Sequence, residues 1–127
     1  SIYDWFKHTK SKYDEKDFYK IYIDFPRIRL IKRIALRSDQ MIENGAIKEV
    51  KNFMKLRVPK NKTASKAIGI KEIGQYLNEK IKIQEVIEKI SIKTRQYAKR
   101  QATWARGNMK SWKKIKHNQL SAFLKKI

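Results

Sequence analysis

The sequence predicts a mainly α-helical chain with one or two short β-strands. Apolar residues recur at three- and four-residue spacing through most of residues 26–106, which is the periodicity of amphipathic helices. One short run, Lys20 to Asp24, is instead rich in β-branched and aromatic residues and is closed by Phe25-Pro26. Since nothing else before residue 108 has the composition of a strand that could pair with it, this run indicates that the chain is part of a larger fold.

The charge of the chain narrows the class of partner. Lysine and arginine number 32 against 12 aspartates and glutamates, which gives a formal net charge of +20. Such a charge repels itself unless a polyanion binds, so nucleic acid or an anionic membrane surface is the first partner to consider. No apolar run approaches the roughly 20 residues that cross a bilayer, and the absence of cysteine excludes disulfides and thiolate sites. We expect a cytoplasmic monomer without a membrane partner.

The first half of the chain predicts two helices after the strand. Residues 1–20 predict a short helical segment and a loop, ahead of a core strand at residues 21–24. Pro26 suits a first helical turn, and the helix that follows is expected to end at Asn44-Gly45. A second helix is predicted from about Ala46 to Leu56, before a lysine-rich loop.

The second half predicts one short and one long helix. The short helix is centred on residues 70–77 and is expected to be capped by Thr63 or Ser65. The long helix runs from about Ile83 to Arg106 and is expected to stop before Gly107-Asn108. Residues 107–127 form a tail that can hold a second short strand and a terminal amphipathic helix.

Arginine is more informative than lysine in this chain, because an AT-rich coding bias can by itself raise the lysine content. Arg29, Arg33 and Arg37 are spaced by four and therefore share one stripe of the first long helix. Guanidinium groups on one stripe repel each other unless an anion bridges them, which favours a phosphate or diphosphate site. The alternative is a solvated helix surface.

Two further segments have the composition of an RNA-binding surface. Residues 94–106 combine cations, amides and an aromatic ring, groups that grip phosphates and stack or hydrogen-bond bases. Within this segment, Tyr97 and Trp104 are better explained by the apolar core stripe of the helix. Arg100, Gln101 and Arg106 instead favour RNA contact. Residues 66–72 begin a helix, where free backbone N–H groups and Gly69 would let a phosphate approach, although Gly69 could equally permit close helix packing.

The sequence holds no catalytic centre of its own. It lacks a glycine-rich phosphate loop ending in Gly-Lys and Ser or Thr, a pair of carboxylates beside a histidine, and any metal-ligand spacing.

The order of these segments resembles the middle and C-terminal part of the tRNA dimethylallyltransferase (tRNA isopentenyltransferase) family over roughly residues 20–115. The segments that carry the resemblance are Arg33-Ile34 with Arg37, Met41 and Gly45; Glu49-Val50; Ala67-Ile68-Gly69 with Lys71-Glu72; Tyr76-Leu77; and Thr94-Arg95 through Arg106. The last of them, with Lys99-Arg100-Gln101 followed by Thr103-Trp104, is the most specific.

The resemblance implies an α/β P-loop kinase-like fold of three layers, of which residues 1–127 are a single C-terminal portion without the N-terminal half. It implies transfer of a dimethylallyl group from dimethylallyl diphosphate to N6 of the adenosine 3′-adjacent to the anticodon in tRNA, with Mg2+ as cofactor. Arg37 matches a catalytic, diphosphate-binding arginine, and Arg33 is expected to steady a phosphate or to pack. The implied contacts to the tRNA anticodon stem-loop are Lys66, Ala67, Ile68, Gly69, Ile70, Lys71, Lys99, Arg100, Gln101, Ala102, Thr103, Trp104, Ala105 and Arg106.

The sequence departs from the family at Ile70, where a tyrosine is usual, so a stacking or hydroxyl contact at this position is in doubt. The phosphate loop and the general-base aspartate belong to the N-terminal half, and the chain alone is therefore expected to be inactive. Two other classes remain: a stand-alone basic helical protein that binds RNA or DNA without catalysis, and an amphipathic protein of a membrane surface.

Overall fold

The structure is a computed structural model that describes residues 2–10 and 12–125, with only the backbone described for Ile2 and Glu15. The helices and strands of this part of the chain are α1 Ile2–His8, β1 Ile21–Asp24, α2 Arg27–Glu43, α3 Ala46–Lys55, α4 Ile70–Leu77, α5 Ile83–Asn108, β2 Lys113–Lys116 and α6 Leu120–Leu124. The prediction of a mainly helical chain with one or two short strands is confirmed, and the described residues contain two. The chain forms two compact units, residues 1–24 with 109–127 and residues 25–108.

The first unit contains the two strands, which pair in parallel. Ile23 of β1 lies opposite Ile115 of β2, and Ile115 is only 4% exposed. The backbone N–H of Lys113 donates to the carbonyl of Lys20 at 2.9 Å, and the ammonium of Lys114 lies 3.1 Å from the carboxylate of Asp24. The predicted strand at 21–24 is confirmed, but it is not isolated. Its pairing with β2 removes the argument that its isolation indicates a larger fold.

The second unit is a helical core built from α2 to α5. Helix α2 packs along α5, and α4 packs against both α3 and α5. The buried residues at the centre come from three of these helices, and Val86 and Ile73 are almost completely enclosed at 0% and 1% exposure. They are Ala46, Val50, Ile73, Val86 and Ile90. The apolar periodicity read from the sequence therefore faces one shared core.

Helix ends agree with the sequence in one place and differ in another. The backbone N–H of Asn44 donates to the carbonyl of Gln40 at 2.8 Å, and Gly45 has a φ of +97°, so α2 ends where predicted and the chain turns at once into α3. Helix α5 was expected to stop before Gly107 but continues through Asn108. The Asn108 side-chain amide donates to the carbonyl of Trp104 at 2.8 Å, which satisfies the last turn.

The described residues include no helix that is both long enough and apolar enough to cross a membrane.

Candidate nucleic-acid interface

Arg33 and Arg37 lie one turn apart on the exposed side of α2. Their neighbours Ile34 and Ser38 are buried, and the Ser38 hydroxyl donates to the carbonyl of Ile34 at 3.0 Å. Among the described residues, neither arginine forms an ion pair with a carboxylate. The buried turn therefore carries two exposed arginines whose Cα atoms are about 6 Å apart along the helix axis, and their guanidinium donors are available to an anion.

The loop before α4 is held by a buried carboxylate. Glu72 is 3% exposed, and its Oε2 accepts a hydrogen bond of 3.0 Å from the backbone N–H of Gly69. Its other oxygen, Oε1, forms an ion pair with the ammonium of Lys93 on α5. Gly69 has a φ of +106°, which residues with a Cβ rarely adopt. The N–H of Gly69 is therefore not one of the donors free for a phosphate at this helix start, because Glu72 accepts its hydrogen bond.

These contacts also set the ionisation of Glu72. Burial by itself raises the pKa of the carboxyl group, but the hydrogen bond from Lys93, the backbone N–H bonds of Glu72 and Gly69, and the charge of Lys93 together hold it below its ordinary value. The carboxylate is therefore ionised at neutral pH inside a basic surface.

Helix α4 is capped differently from the prediction. Gly69 precedes its first residue, and Glu72 at the third helical position closes half of a capping box onto the Gly69 N–H. Thr63 makes no side-chain capping bond, and the Ser65 hydroxyl donates instead to the carbonyl of Pro59 at 3.0 Å. The expected cap by Thr63 or Ser65 is wrong, since both residues belong to a separate stretch around a short 3-10 turn.

Gly69 also marks the place where α2, the loop and α5 meet. A Cβ added at this position would lie 3.7 Å from Cε of Met41 and 3.7 Å from Cδ1 of Ile90. Met41 follows Arg37 by one turn of α2, and Ile90 precedes Lys93 and Thr94 on α5. These are ordinary van der Waals distances, so the positive φ of Gly69, rather than a lack of space, is what favours glycine here. The loop thus lies beside the turn of α2 that follows Arg37 and beside the part of α5 that leads into residues 94–106.

The loop itself, residues 66–71, is mostly exposed. Lys66 and Lys71 project to solvent, as do Ala67 and Ile68, whereas Ile70 is half-buried against the core. Two ammonium groups and an apolar side chain that is 39% exposed, Ile68, therefore share this surface.

The α5 segment presents both charge and aromatic rings. Tyr97 is 50% and Trp104 is 59% exposed, so the interpretation of these rings as part of the core stripe is wrong. The apolar contacts of α5 are made instead by Val86, Ile90 and Ala105, which are its buried residues. The Arg100 guanidinium lies 5.7 Å from the Tyr97 ring centroid, a cation–π arrangement that stiffens both groups.

The other side chains of this segment divide by exposure. Those that project to solvent are Lys99, Arg100, Gln101, Thr103, Trp104 and Arg106, while Ala102 is partly covered. Arg106 donates to the Thr103 hydroxyl at 3.2 Å, so these two groups lie on one side of the helix. Ala105 is 7% exposed, so its side chain packs inward and does not face solvent.

The ion pair between Glu72 and Lys93 was not predicted from the sequence. The signal available for it was the half capping box itself, a helix-entry glycine followed three residues later by glutamate. No pattern in the sequence, however, links position 72 to position 93.

The part of the chain that the structure describes has no group of three or more histidine, cysteine, aspartate or glutamate side chains that could hold a metal ion.

Comparison with known proteins relates this chain to one family. The family model described as IPP transferase matches residues 1–108. A tRNA dimethylallyltransferase of Pelagibacter ubique is 51% identical over 127 residues, which is all of this chain and 41% of that relative. One from Ehrlichia canis is 40% identical over 104 residues, which is 82% of this chain and 35% of that relative.

Solved structures agree with the sequence relatives. One match is the crystal structure of the full-length tRNA isopentenylpyrophosphate transferase of Bacillus halodurans, with a TM-score of 0.69 and 33% sequence identity. The match includes 90% of this chain and 36% of that protein. Another is a tRNA isopentenylpyrophosphate transferase of Staphylococcus epidermidis, with a TM-score of 0.70 and 31% sequence identity. This match includes 79% of this chain and 32% of that protein. This chain spans less than half the length of each of these relatives. Because the family model matches most of the residues of this chain, the chain belongs to the IPP transferase family.

Proposed function

We propose that this chain is the C-terminal, RNA-gripping part of a tRNA dimethylallyltransferase with a P-loop kinase-like fold. The complete enzyme would transfer a dimethylallyl group to N6 of the adenosine 3′-adjacent to the anticodon, in the cytoplasm and as a monomer. The observation that carries the proposal is the family match over residues 1–108, which includes all three basic segments. This chain spans only part of the length of its relatives, and we place the phosphate loop and the general base in other parts of the complete enzyme.

Arg37 is the catalytic residue of the proposal. In the transfer, the bond between C1 of the allyl group and the diphosphate oxygen breaks, and the diphosphate leaves with the electron pair. The lone pair of the adenine N6 forms the new C–N bond, and N6 then loses a proton to a base. Negative charge grows on the leaving oxygen, and a guanidinium held there stabilises it more in the transition state than in the ground state. The exposure of Arg37 and its freedom from carboxylates support this role, while Arg33 binds the diphosphate.

Two surfaces are proposed to hold the anticodon stem-loop. The loop of residues 66–71 supplies Lys66 and Lys71 to phosphates, and α5 supplies cations and amides from Lys99 to Arg106. The exposure of Trp104, which is 59% accessible to solvent, supports stacking on an RNA base. Ile70 keeps an apolar contact in place of any hydroxyl contact.

Magnesium belongs to the proposal only as a cofactor of the complete enzyme. The described residues do not fit a magnesium site, since they hold no carboxylate cluster and the buried carboxylate of Glu72 is bound to Lys93. By itself, the chain is proposed to bind RNA without catalysing transfer.

The test is a transfer assay with the complete enzyme, dimethylallyl diphosphate and a synthetic anticodon stem-loop. We expect a mass increase of one dimethylallyl group on RNA that has adenosine next to the anticodon, and none when guanosine replaces that adenosine. RNA binding without transfer would refute the proposal and favour a basic RNA-binding protein without catalysis. Transfer to both RNAs would refute the assignment of N6 as the acceptor.

A further inference from the structure

We propose that Glu72 is a positioning residue for RNA recognition, whose buried carboxylate holds the loop of residues 66–71 in the shape that receives phosphates. The inference rests on the proposed function, because it assigns to Glu72 the task of arranging that RNA surface. Glu72 touches neither RNA nor diphosphate in this proposal. It acts through the backbone of Gly69 and through Lys93.

The carboxylate of Glu72 contacts both the loop of residues 66–71 and helix α5. One oxygen fixes the N–H of Gly69, the residue with which the loop enters α4, at 3.0 Å. The other oxygen is paired with Lys93 on α5, in the turn before the basic segment of that helix begins. A single carboxylate that is 3% exposed therefore ties the loop to α5. Because buried groups of this kind cannot move without losing their partners, the loop and the helix keep one relative arrangement.

The charge of Glu72 is the opposite of what an RNA surface requires. The chain between Glu49 and Glu72 has no acidic residue, and its cations are all exposed. They are Lys51, Lys55, Arg57, Lys60, Lys62, Lys66 and Lys71. A carboxylate at the end of this run lowers the local attraction for phosphate, so its benefit to binding has to come from the geometry that it maintains.

Lys93 has a side chain that is 45% exposed, but its charge is paired with that of Glu72. The ammonium of Lys93 forms an ion pair with Glu72, which neutralises its charge. The positive charge that the loop of residues 66–71 offers to RNA therefore comes from Lys66 and Lys71. The pair thus separates cations that hold the scaffold from cations that are available to bind.

The sign of the effect on RNA affinity distinguishes positioning from simple electrostatics. Glu72→Gln makes the surface more positive by one unit, so a purely electrostatic role predicts tighter binding of the anticodon stem-loop. Positioning predicts the reverse, a loss of about tenfold or more, because the amide nitrogen of glutamine cannot replace the carboxylate toward Lys93. The matched control is Glu88→Gln on α5, an exposed carboxylate without an ion-pair partner among the described residues. We expect the control to bind equally or slightly tighter.

A second variant keeps the test decisive if Glu72→Gln does not fold. Gly69→Ala changes no charge, and the added Cβ meets only ordinary contacts at 3.7 Å, but a φ of +106° is unfavourable for alanine and the loop must shift. We expect it to weaken RNA binding as well. Unchanged affinity in this variant would overturn the proposal.

The measurement is steady-state transfer by the complete enzyme over a range of RNA concentrations, together with RNA binding by fluorescence anisotropy. Positioning raises Kd and KM for RNA and leaves kcat at saturating RNA close to that of the wild type. A merely structural role lowers kcat through loss of active enzyme and leaves KM unchanged, and this result would overturn the inference, as would wild-type or tighter binding by Glu72→Gln. If the wild-type enzyme itself does not bind the stem-loop, both the proposed function and the inference about Glu72 fail. If the wild type binds and only the variants behave contrary to expectation, the inference alone fails.

Discussion

Replacing Arg37 by alanine removes one guanidinium from the exposed side of α2 and should lower the rate of transfer while RNA affinity and stability change little. The side chain is exposed and has no carboxylate partner among the described residues, so its loss leaves no buried charge unpaired. The turn that carries it is anchored by Ile34 and Ser38, which keep their burial and their mutual hydrogen bond. We therefore expect the free energy of unfolding to change by less than about 0.5 kcal/mol.

The effect on kcat should be much larger. Removal of one preorganised donor from a developing negative charge costs about 2.7 to 4 kcal/mol of transition-state stabilisation, which is about 10² to 10³ in rate. Arg37→Lys should recover only part of the loss, because an ammonium cannot form the two parallel bonds that a guanidinium makes to a phosphate. Arg33→Ala should mainly raise KM for dimethylallyl diphosphate.

Single-turnover transfer and RNA affinity should be measured on the same preparations, with circular dichroism to confirm the fold. Lys32→Ala is the matched control, since it removes one exposed cation from the same helix outside the stripe of Arg33 and Arg37. A general loss of positive field would affect Lys32→Ala and Arg37→Ala alike. Transfer by Arg37→Ala at the wild-type rate, or a defect that lies wholly in RNA affinity, would refute the assignment of Arg37 to the diphosphate.

Three further results are expected. Arg100→Ala or Arg106→Ala should weaken stem-loop binding by about 1 to 3 kcal/mol and reduce the slope of log affinity against log salt by about one, measured by anisotropy titration; unchanged slopes would remove these residues from the RNA site. Ile73→Ala, at a position that is 1% exposed, should lower the free energy of unfolding by about 2 to 5 kcal/mol in urea titrations, whereas Ile28→Ala, at 73% exposure, should change it by less than about 0.5 kcal/mol. Because the folded-state pKa of Glu72 is depressed, its stabilising contribution is present above the ordinary carboxyl pKa and is lost as pH falls through the folded value. The difference in urea stability between wild type and Glu72→Gln should therefore shrink on acidification below about pH 4, and a constant difference would contradict this.

Local patterns were sufficient for most of the elements of this chain. Helix α2 ends at Asn44-Gly45 as predicted, because an asparagine–glycine pair with a left-handed glycine stops a helix whatever surrounds it. The strand at 21–24 was also identified from composition alone. The candidate residues of α2 and α5 came from spacing and from the family resemblance, and both depend only on the order of residues along the chain.

Tertiary structure decided what those elements contact. The parallel partner of β1 lies at residues 113–116, and a parallel pairing over such a distance leaves no mark in either strand. Tyr97 fits the apolar period of α5, yet it is half exposed, because the position of α2 and α4 determines which stripe of α5 is covered. The bond from Glu72 to Gly69 could be guessed from a spacing of three, but its burial and its ion pair with Lys93 exist only once α4 packs on α5. Periodicity is a property of neighbours in sequence, whereas burial and charge pairing depend on which helices meet, and the latter determines which groups of this surface are free to bind RNA.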